Sequence, residues 1–307
     1  MTFTVDIALR ERVRARLLER GFAQAGFADA TPVSDHVGPW VAAGRHAGMQ
    51  WIEREPERRN DPTTLLPGAA SVICVAASYP AQDGSQAVAA YACAEDYHHD
   101  LRAALEEVAA ELRAWVPGAG TRVCVDSAPL SERAFAARAG LGWIGRNTML
   151  LNERLGPWML LAEILVDAHF PPDAPAAFRC GSCTACVDAC PTDALDGKGQ
   201  LDAGRCLSYW SIEHRGELPE AWGAALGHRA FGCDDCLAAC PFPAQEAAPS
   251  SPPLRPRPEL AAATPARLRE LAEASFKRHL GSTPLERARK GGLLRNLSWV
   301  ERNSPAR

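Results

Sequence analysis

The sequence predicts an α/β layered N-terminal half (residues 1–168), a ferredoxin-like (α+β) segment (169–250) and a short C-terminal helical tail (251–307). Three observations carry this. Apolar strand-like runs alternate with helical periodicity through the first half. Eight cysteines crowd between Cys180 and Cys240. A proline-rich stretch, 249–258, then leads into a segment whose charge balance is reversed.

Residues 9–21 read as a helix with Leu9, Val13, Leu17 and Leu18 on one stripe and Gly21 as its C-cap. A short helix over 39–47 carries Pro39 in its first turn, where the missing N–H does no harm. Gly48-Met49-Gln50-Trp51-Ile52 leads into Arg58-Arg59-Asn60-Asp61-Pro62, a charged segment closed by a proline turn. Leu65-Leu66-Pro67-Gly68 precedes a strand over 71–77, apolar almost throughout, as expected when both faces are covered. Asp96-Tyr97-His98-His99 opens a helix over 100–115. A second buried strand, 121–125, ends at Asp126. Ser131 as N-cap and Glu132 in the first turn start a helix over 131–139, which stops at Gly140-Leu141-Gly142. Strands over 149–151 and 158–166 follow, and Phe170 to Pro175 reads as a linker.

The cysteines read C-x-x-C-x-x-C-x-x-x-C-P at Cys180, Cys183, Cys186, Cys190 and Pro191. A lone Cys206 follows, then C-x-x-C-x-x-x-C-P at Cys233, Cys236, Cys240 and Pro241. Three neighbouring sulfurs on a tight turn cap three corners of an iron–sulfur cube. In two-cluster ferredoxins the fourth cysteine of each run serves the other cluster. That logic assigns Cys180, Cys183, Cys186 and Cys240 to one [4Fe–4S] cluster, and Cys190, Cys206, Cys233 and Cys236 to a second. Ala230 stands where the second run would begin, so Cys206 fills that corner across a loop. Structural zinc uses fewer cysteines per run and needs no C-x-x-x-C-P tail. Disulfides need an oxidising compartment, which nothing here suggests. Cys74, Cys93 and Cys124 remain, of which Cys74 and Cys124 sit in apolar runs as small core residues.

A chain of 307 residues with 47% hydrophobic and 23% charged residues is an ordinary globular composition. The N-terminus has no basic-then-apolar signal pattern and the chain no bilayer-length apolar run, so a cytoplasmic location without membrane contact is expected. Net charge is −4, unevenly spread: residues 251–307 carry twelve Lys or Arg against five Asp or Glu, and the acidic body carries −11. Such a basic tail suits a polyanion, and equally suits a solvated helical face.

The α/β half has no G-x-G-x-x-G after its strands, which excludes a Rossmann dinucleotide site on this signal. Gly142-x-x-Gly145-Arg146-Asn147 lacks the Walker lysine. It serves either close backbone approach to a large ligand or simply a tight turn. Asp126 lies just past a buried strand, where open α/β sheets place functional side chains. Acting as a proton donor at neutral pH requires a raised carboxyl pKa, which a dry pocket supplies by desolvation. On residue type alone, organising the turn before the 131–139 helix is the stronger reading. Tyr97, His98 and His99 either face a ligand or decorate a helix start.

Taken together, several of these segments resemble the epoxyqueuosine reductases. The likeness is carried by Asp126-Ser127-Ala128-Pro129, Gly140-Leu141-Gly142-Trp143-Ile144-Gly145-Arg146-Asn147-Thr148 and Asp96-Tyr97-His98. It continues through Cys206-Leu207-Ser208-Tyr209-Trp210-Ser211-Ile212-Glu213-His214-Arg215-Gly216 and Gly232-Cys233-Asp234-Asp235-Cys236, and spans about residues 51–296. It implies a cytoplasmic, cobalamin-dependent oxidoreductase with two [4Fe–4S] clusters. Such an enzyme reduces epoxyqueuosine to queuosine at the tRNA wobble position, the last step of queuosine biosynthesis. It further implies Asp126 as proton donor, Arg59, Ala89, Asp126, Leu150 and Ser208 near the corrinoid, and Glu213, His214 and Arg215 near the nucleotide. Asp35-His36-Val37-Gly38 lacks the D-x-H-x-x-G spacing of a cobalt-ligating histidine, so a corrinoid would bind base-off without a protein histidine. The implied partners are tRNA carrying epoxyqueuosine and an external low-potential electron donor, with the protein a monomer. Longer relatives carry a helical-repeat extension beyond the position of Trp299, which bears on how much RNA surface is gripped. Lys277, Arg278, Arg287, Arg289, Lys290 and Arg295 are the cations available to RNA phosphates. The rivals are another corrinoid iron–sulfur enzyme of the reductive dehalogenase kind and a ferredoxin-type electron carrier.

Overall fold

The computed structural model describes residues 4–242 and 253–304. In chain order the first half comprises α1 (Ile7–Glu19), β1 (Gln24–Asp29), α2 (Val37–Ala42), α3 (Gln50–Glu53), β2 (Ser71–Ser78), α4 (Tyr97–Trp115), β3 (Thr121–Cys124), α5 (Glu132–Arg138), β4 (Trp143–Ile144), β5 (Leu150–Leu151) and β6 (Met159–Val166). The remainder is helical: α6 (Ala185–Asp188), α7 (Glu220–Ala225), α8 (Asp235–Ala238), α9 (Pro258–Ala261), α10 (Pro265–Leu280) and α11 (Arg289–Asn303). A π-helical turn spans Tyr209–Glu213.

The main sheet runs β1-β2-β6-β3, and every pairing is antiparallel. Helices cover both of its faces, as the strand–helix alternation predicts. On one face, Val13 and Leu17 of α1 and Leu101, Leu105, Val108 and Leu112 of α4 pack on Ile73, Val75, Ile164 and Val166. On the other, Phe135 and Ala136 of α5 cover Val72, Cys74, Cys124 and Leu165. Burial on both sides explains why β2 has no exposed position and why its sequence is a continuous apolar run. Cys74 and Cys124 are core residues, as expected.

Several sequence expectations are corrected. Leu18 is 44% exposed and is not part of the buried stripe of α1. The helix placed at 39–47 is the shorter α2, followed by turns. Ser131 precedes α5 but makes no capping bond; its hydroxyl donates instead to Asn60 Oδ1 at 3.1 Å. The stretch after β6 is a strap rather than a slack linker. Phe170 is fully buried, and Asp173 accepts the Phe27 N–H at 2.9 Å and pairs with Arg10 and Arg14 of α1. Residues 249–252 of the expected second linker lie outside the described residues. Its continuation is bonded to the body, with the Arg255 N–H on Asp100 and the Arg257 N–H on the Cys93 carbonyl. The tail shares a core with the first half: Leu268, Leu280, Leu293 and Leu297 pack with Val88, Ala92 and Phe231. Among the described residues no helix is long and apolar enough to cross a membrane.

Candidate active site

Asp126 leaves the end of β3 with φ +50°, in the left-handed region that aspartate tolerates better than most residues. A tight three-residue turn closes over it, the Ser127 N–H donating to the Val125 carbonyl at 2.5 Å. Its own N–H donates to Glu132 Oε1 at 2.6 Å, at the start of α5. The carboxylate is thereby aimed into open space and is 57% exposed.

Two side chains from the first turn of α4 meet it there. The Tyr97 hydroxyl donates to Asp126 Oδ2 at 2.8 Å, and His98 Nε2 lies 3.0 Å from the same oxygen. Asp96, the N-cap of α4, accepts the His98 N–H at 3.0 Å and faces His98 Nδ1 at 2.7 Å. One imidazole thus bridges two carboxylates, its ring stacked on Tyr97 at 4.2 Å. Burial opposes a charge on His98, but the bonds to Asp126 and Asp96 outweigh it and push its pKa up to about 9. The same bond from His98, with that from Tyr97, holds the Asp126 carboxyl below its ordinary range against the upward push of burial. The expected rise was that of a dry, ligand-filled pocket; the proton here lies on His98, and Asp126 is the carboxylate it is shared with.

Around this pair lie the other candidates. Burial lowers the Arg59 guanidinium, while the Asp126 and Glu132 charges oppose that, so it lies close to both. Its backbone carbonyl accepts the Ser131 N–H at 2.7 Å. Glu213 is 18% exposed and pairs with Arg287 at 2.8 Å. Arg287 in turn lies 4.9 Å over the Trp51 ring and is near enough to Asp126 to lower its pKa. His214 packs on Trp210 at 4.5 Å with Nε2 on the Glu217 carbonyl at 3.0 Å. Arg215 donates to the Ile212 and Arg287 carbonyls. Asp35 caps the turn into α2 through the Gly38 N–H, and His36 Nδ1 lies on the Ser34 carbonyl.

Three further positions expected near a corrinoid are placed as follows. Leu150 is 3% exposed in the core beside α5 and offers no side-chain surface. Ala89 is buried, its N–H on the Phe231 carbonyl at 2.8 Å, next to the Gly232-Cys233 segment. The Ser208 backbone and hydroxyl both bond to the Cys206 sulfur and lower its pKa against burial.

The cysteines fall into two neighbourhoods. Burial, and then the charges of Cys240, Cys180 and Cys183, raise the Cys186 thiol. Burial and then Cys233, Cys206 and Cys190 raise Cys236, with Cys186 next. Cys186 thus lies near Cys180, Cys183 and Cys240, and Cys236 near Cys190, Cys206, Cys233 and Cys186. Trp143 Nε1–H donates to Cys180 Sγ and the Ala194 N–H to Cys190 Sγ, each at 3.3 Å. The glycine-rich loop holds this segment to the first half. Arg146 donates to the Gly197 and Gly181 carbonyls at 2.6 and 2.9 Å, and Asn147 Nδ2 to the Cys236 carbonyl.

Residues 179–243 match the model of a 4Fe-4S double cluster binding domain, and residues 59–127, from Arg59 past Asp126, match Epoxyqueuosine reductase QueG, DUF1730. An epoxyqueuosine reductase of Xanthomonas campestris is 38% identical over 98% of this chain and 88% of its own length. The chain belongs to the epoxyqueuosine reductase family. A crystal structure of an epoxyqueuosine reductase with a tRNA-Tyr epoxyqueuosine-modified stem loop covers 95% of this chain and 80% of its own, at 30% identity and a TM-score of 0.86. The Bacillus subtilis family member, solved with its aspartate-bearing catalytic loop swung out of the active site, matches with a TM-score of 0.83 at 29% identity over 95% of this chain and 81% of its own.

Within the family frame, sequence reasoning placed Asp126 and the cysteines but missed three partners. Glu132 was visible only as a first-turn acid. Arg287 was one of several tail cations. Glu163, an acid inside the apolar run of β6 and fully buried, carried the clearest unused signal, because such groups are rare without a partner.

Proposed function

We propose that the protein reduces epoxyqueuosine in tRNA to queuosine, with Asp126 as the group that passes a proton to the departing oxygen. The observation that carries this is the Asp96–His98–Asp126 array with Tyr97, which keeps a proton beside a solvent-facing carboxylate in a chain of this family. In this reading residues 1–168 hold the corrinoid and perform the chemistry, 169–250 hold the clusters, and 251–307 contribute to RNA binding. The thiol chemistry fits two clusters: Cys180, Cys183, Cys186 and Cys240 bind one, and Cys190, Cys206, Cys233 and Cys236 the other. A half-buried Arg59 close to Asp126 fits an anionic or amide-bearing ligand such as cobalamin, which Arg59 would help to hold and which, on the sequence reading, would bind base-off without a protein histidine. When bound, these groups supply low-potential electrons, delivered by an external donor.

The residues of the chain do the rest. His98 holds the proton at neutral pH, Tyr97 and His98 fix Oδ2 of Asp126, and proton transfer moves along His98–Asp126 to the epoxide oxygen. Asp96 holds the imidazole in the orientation that aims Nε2 at Asp126. Glu213 and Arg287 stand at the rim as a neutralised pair able to meet the nucleoside. The test is to incubate cluster-loaded protein, cobalamin and reductant with an epoxyqueuosine-containing stem loop and weigh the released nucleosides. Loss of one oxygen with wild-type protein, and none with Asp126→Asn at unchanged iron content, is expected. Equal conversion by Asp126→Asn overturns the role of Asp126, and no conversion by wild type overturns the function.

A further inference from the structure

Glu163 has no part in the chemistry described so far, yet it is the least accommodated polar group in the sheet. It sits on β6 between Cys74 of β2 and Cys124 of β3, on the face covered by α5. It is 0% exposed, and among the described residues neither carboxyl oxygen has a hydrogen-bond partner of normal geometry, with the Glu132 carboxyl the nearest group that acts on it. An ionised carboxylate cannot be left so at tolerable cost. Burial, and then the neighbouring Glu132, push its pKa far up. Glu132, one helical turn above Phe135, is raised by burial and by the charge of Asp126, with the Asp126 N–H bond and then Arg133 and His98 acting the other way more weakly. The thiols of Cys74 and Cys124 are raised by burial and carry no positive charge in any state. Among the described residues Glu163 feels only burial, Glu132 and Asp126. Glu132 thus neighbours both Glu163 and Asp126, and its Oε1 accepts the Asp126 N–H.

The proton count gives them a task, resting on the function proposed above. Turning an epoxide into an alkene breaks both C–O bonds, forms one C=C π bond, takes up two electrons from the donor and two protons, and releases one water. Asp126 and His98 share a single proton. We propose that Glu132, backed by Glu163, stores the second proton and returns it to Asp126 within each turnover. Glu132 then reloads from water after product leaves, while Glu163 stays neutral and acts as a positioning residue that offers Glu132 no positive charge.

The test uses the full-length cluster-loaded protein. Infrared difference titration without substrate should show protonated carboxyl signals at neutral pH. One titrates above the ordinary carboxylate range and disappears in Glu132→Gln. A second persists through the range and disappears in Glu163→Gln, and in that variant the Glu132 midpoint falls because the glutamine amide N–H groups can donate to the Glu132 carboxylate, which a protonated Glu163 does less well. Glutamine keeps an oxygen for the Asp126 N–H, so Glu132→Gln isolates the proton from the positioning. It should lower kcat by about 10²-fold at unchanged KM and erase the basic limb of the pH profile. Absence of carboxylic acid signals at neutral pH overturns the store, as does Glu132→Gln with the wild-type rate and profile. If Glu132→Gln does not fold, the Glu163→Gln titration decides, and an unmoved midpoint overturns the coupling. Stored protons in a wild-type protein that leaves epoxyqueuosine unchanged would instead count against the proposed function alone.

Discussion

His98 decides the charge state of the site. Its imidazole lies between Asp96 and Asp126, so it is a cation at neutral pH where a free histidine would be mostly neutral. Because the folded pKa is raised, its contribution to stability is complete below the unfolded value of about 6.5. It is lost as pH rises through about 9. Asp126 has the opposite sign: its lowered pKa stabilises above the unfolded value and is lost in acid. Proton NMR of the imidazole should therefore give a midpoint near 9, and Asp126→Asn should lower it. A midpoint that does not move in that variant would show that the 3.0 Å contact carries no charge coupling. At this scale the sequence was informative about identity and silent about protonation. Asp126 is recognisable from its place after an apolar strand, but its partners sit twenty-eight and twenty-nine residues away. No local pattern says that a helix start will fold onto it.

Two short elements hold the constellation in place. The first turn of α4 carries Asp96, Tyr97 and His98, and Asp96 serves at once as N-cap and as imidazole partner. Asp96→Ala should cost about 1 kcal/mol from the cap alone and also lower the His98 pKa, read by thermal unfolding and by NMR. Asp96→Asn, which retains capping ability, should restore most of the stability while leaving the pKa lowered. The β4–β5 hairpin is the second. A Cβ on Gly142 would meet the Leu151 carbonyl oxygen at 2.0 Å, a backbone atom that cannot move aside. Gly142→Ala should destabilise by roughly 1–3 kcal/mol and, by displacing Arg146 and Asn147, lower the iron retained on purification. The long apolar strands and α4 were legible because their periodicity is imposed by burial. β1 was not: Gln24–Asp29 is rich in alanine and glycine, with little intrinsic strand preference. Gly26 is there because a Cβ would strike the Ala139 carbonyl oxygen at 2.2 Å, a constraint that exists only once α5 has docked.

At the scale of the molecule, the basic tail separates into two kinds of cation that composition alone treats as one. Arg287 and Arg295 are structural. Arg287 pairs with Glu213, and Arg295 donates to the carbonyls of His214, Gly216 and Trp210, so together they bind α11 and the turn before it to the π-helical segment. Lys277, Arg278, Arg289 and Lys290 are exposed on the same appended unit, whose own apolar residues share a core with residues 87–93. Polyanion contact through that second group gives up little internal bonding beyond the 3.4 Å contact of Lys290 Nζ with the Glu273 carbonyl, and each phosphate neutralised adds about 0.9 to the slope of log affinity against log salt for a duplex. Reversing Lys277, Arg278 and Lys290 to glutamate should therefore weaken stem-loop binding strongly at low salt and little at high salt, with thermal stability unchanged. Arg295→Glu should instead lower stability and disturb the Glu213–Arg215 segment, weakening binding with no change in salt slope. Parallel salt dependences for the triple reversal and the wild type would remove the tail from the RNA interface and leave its role in the shared core.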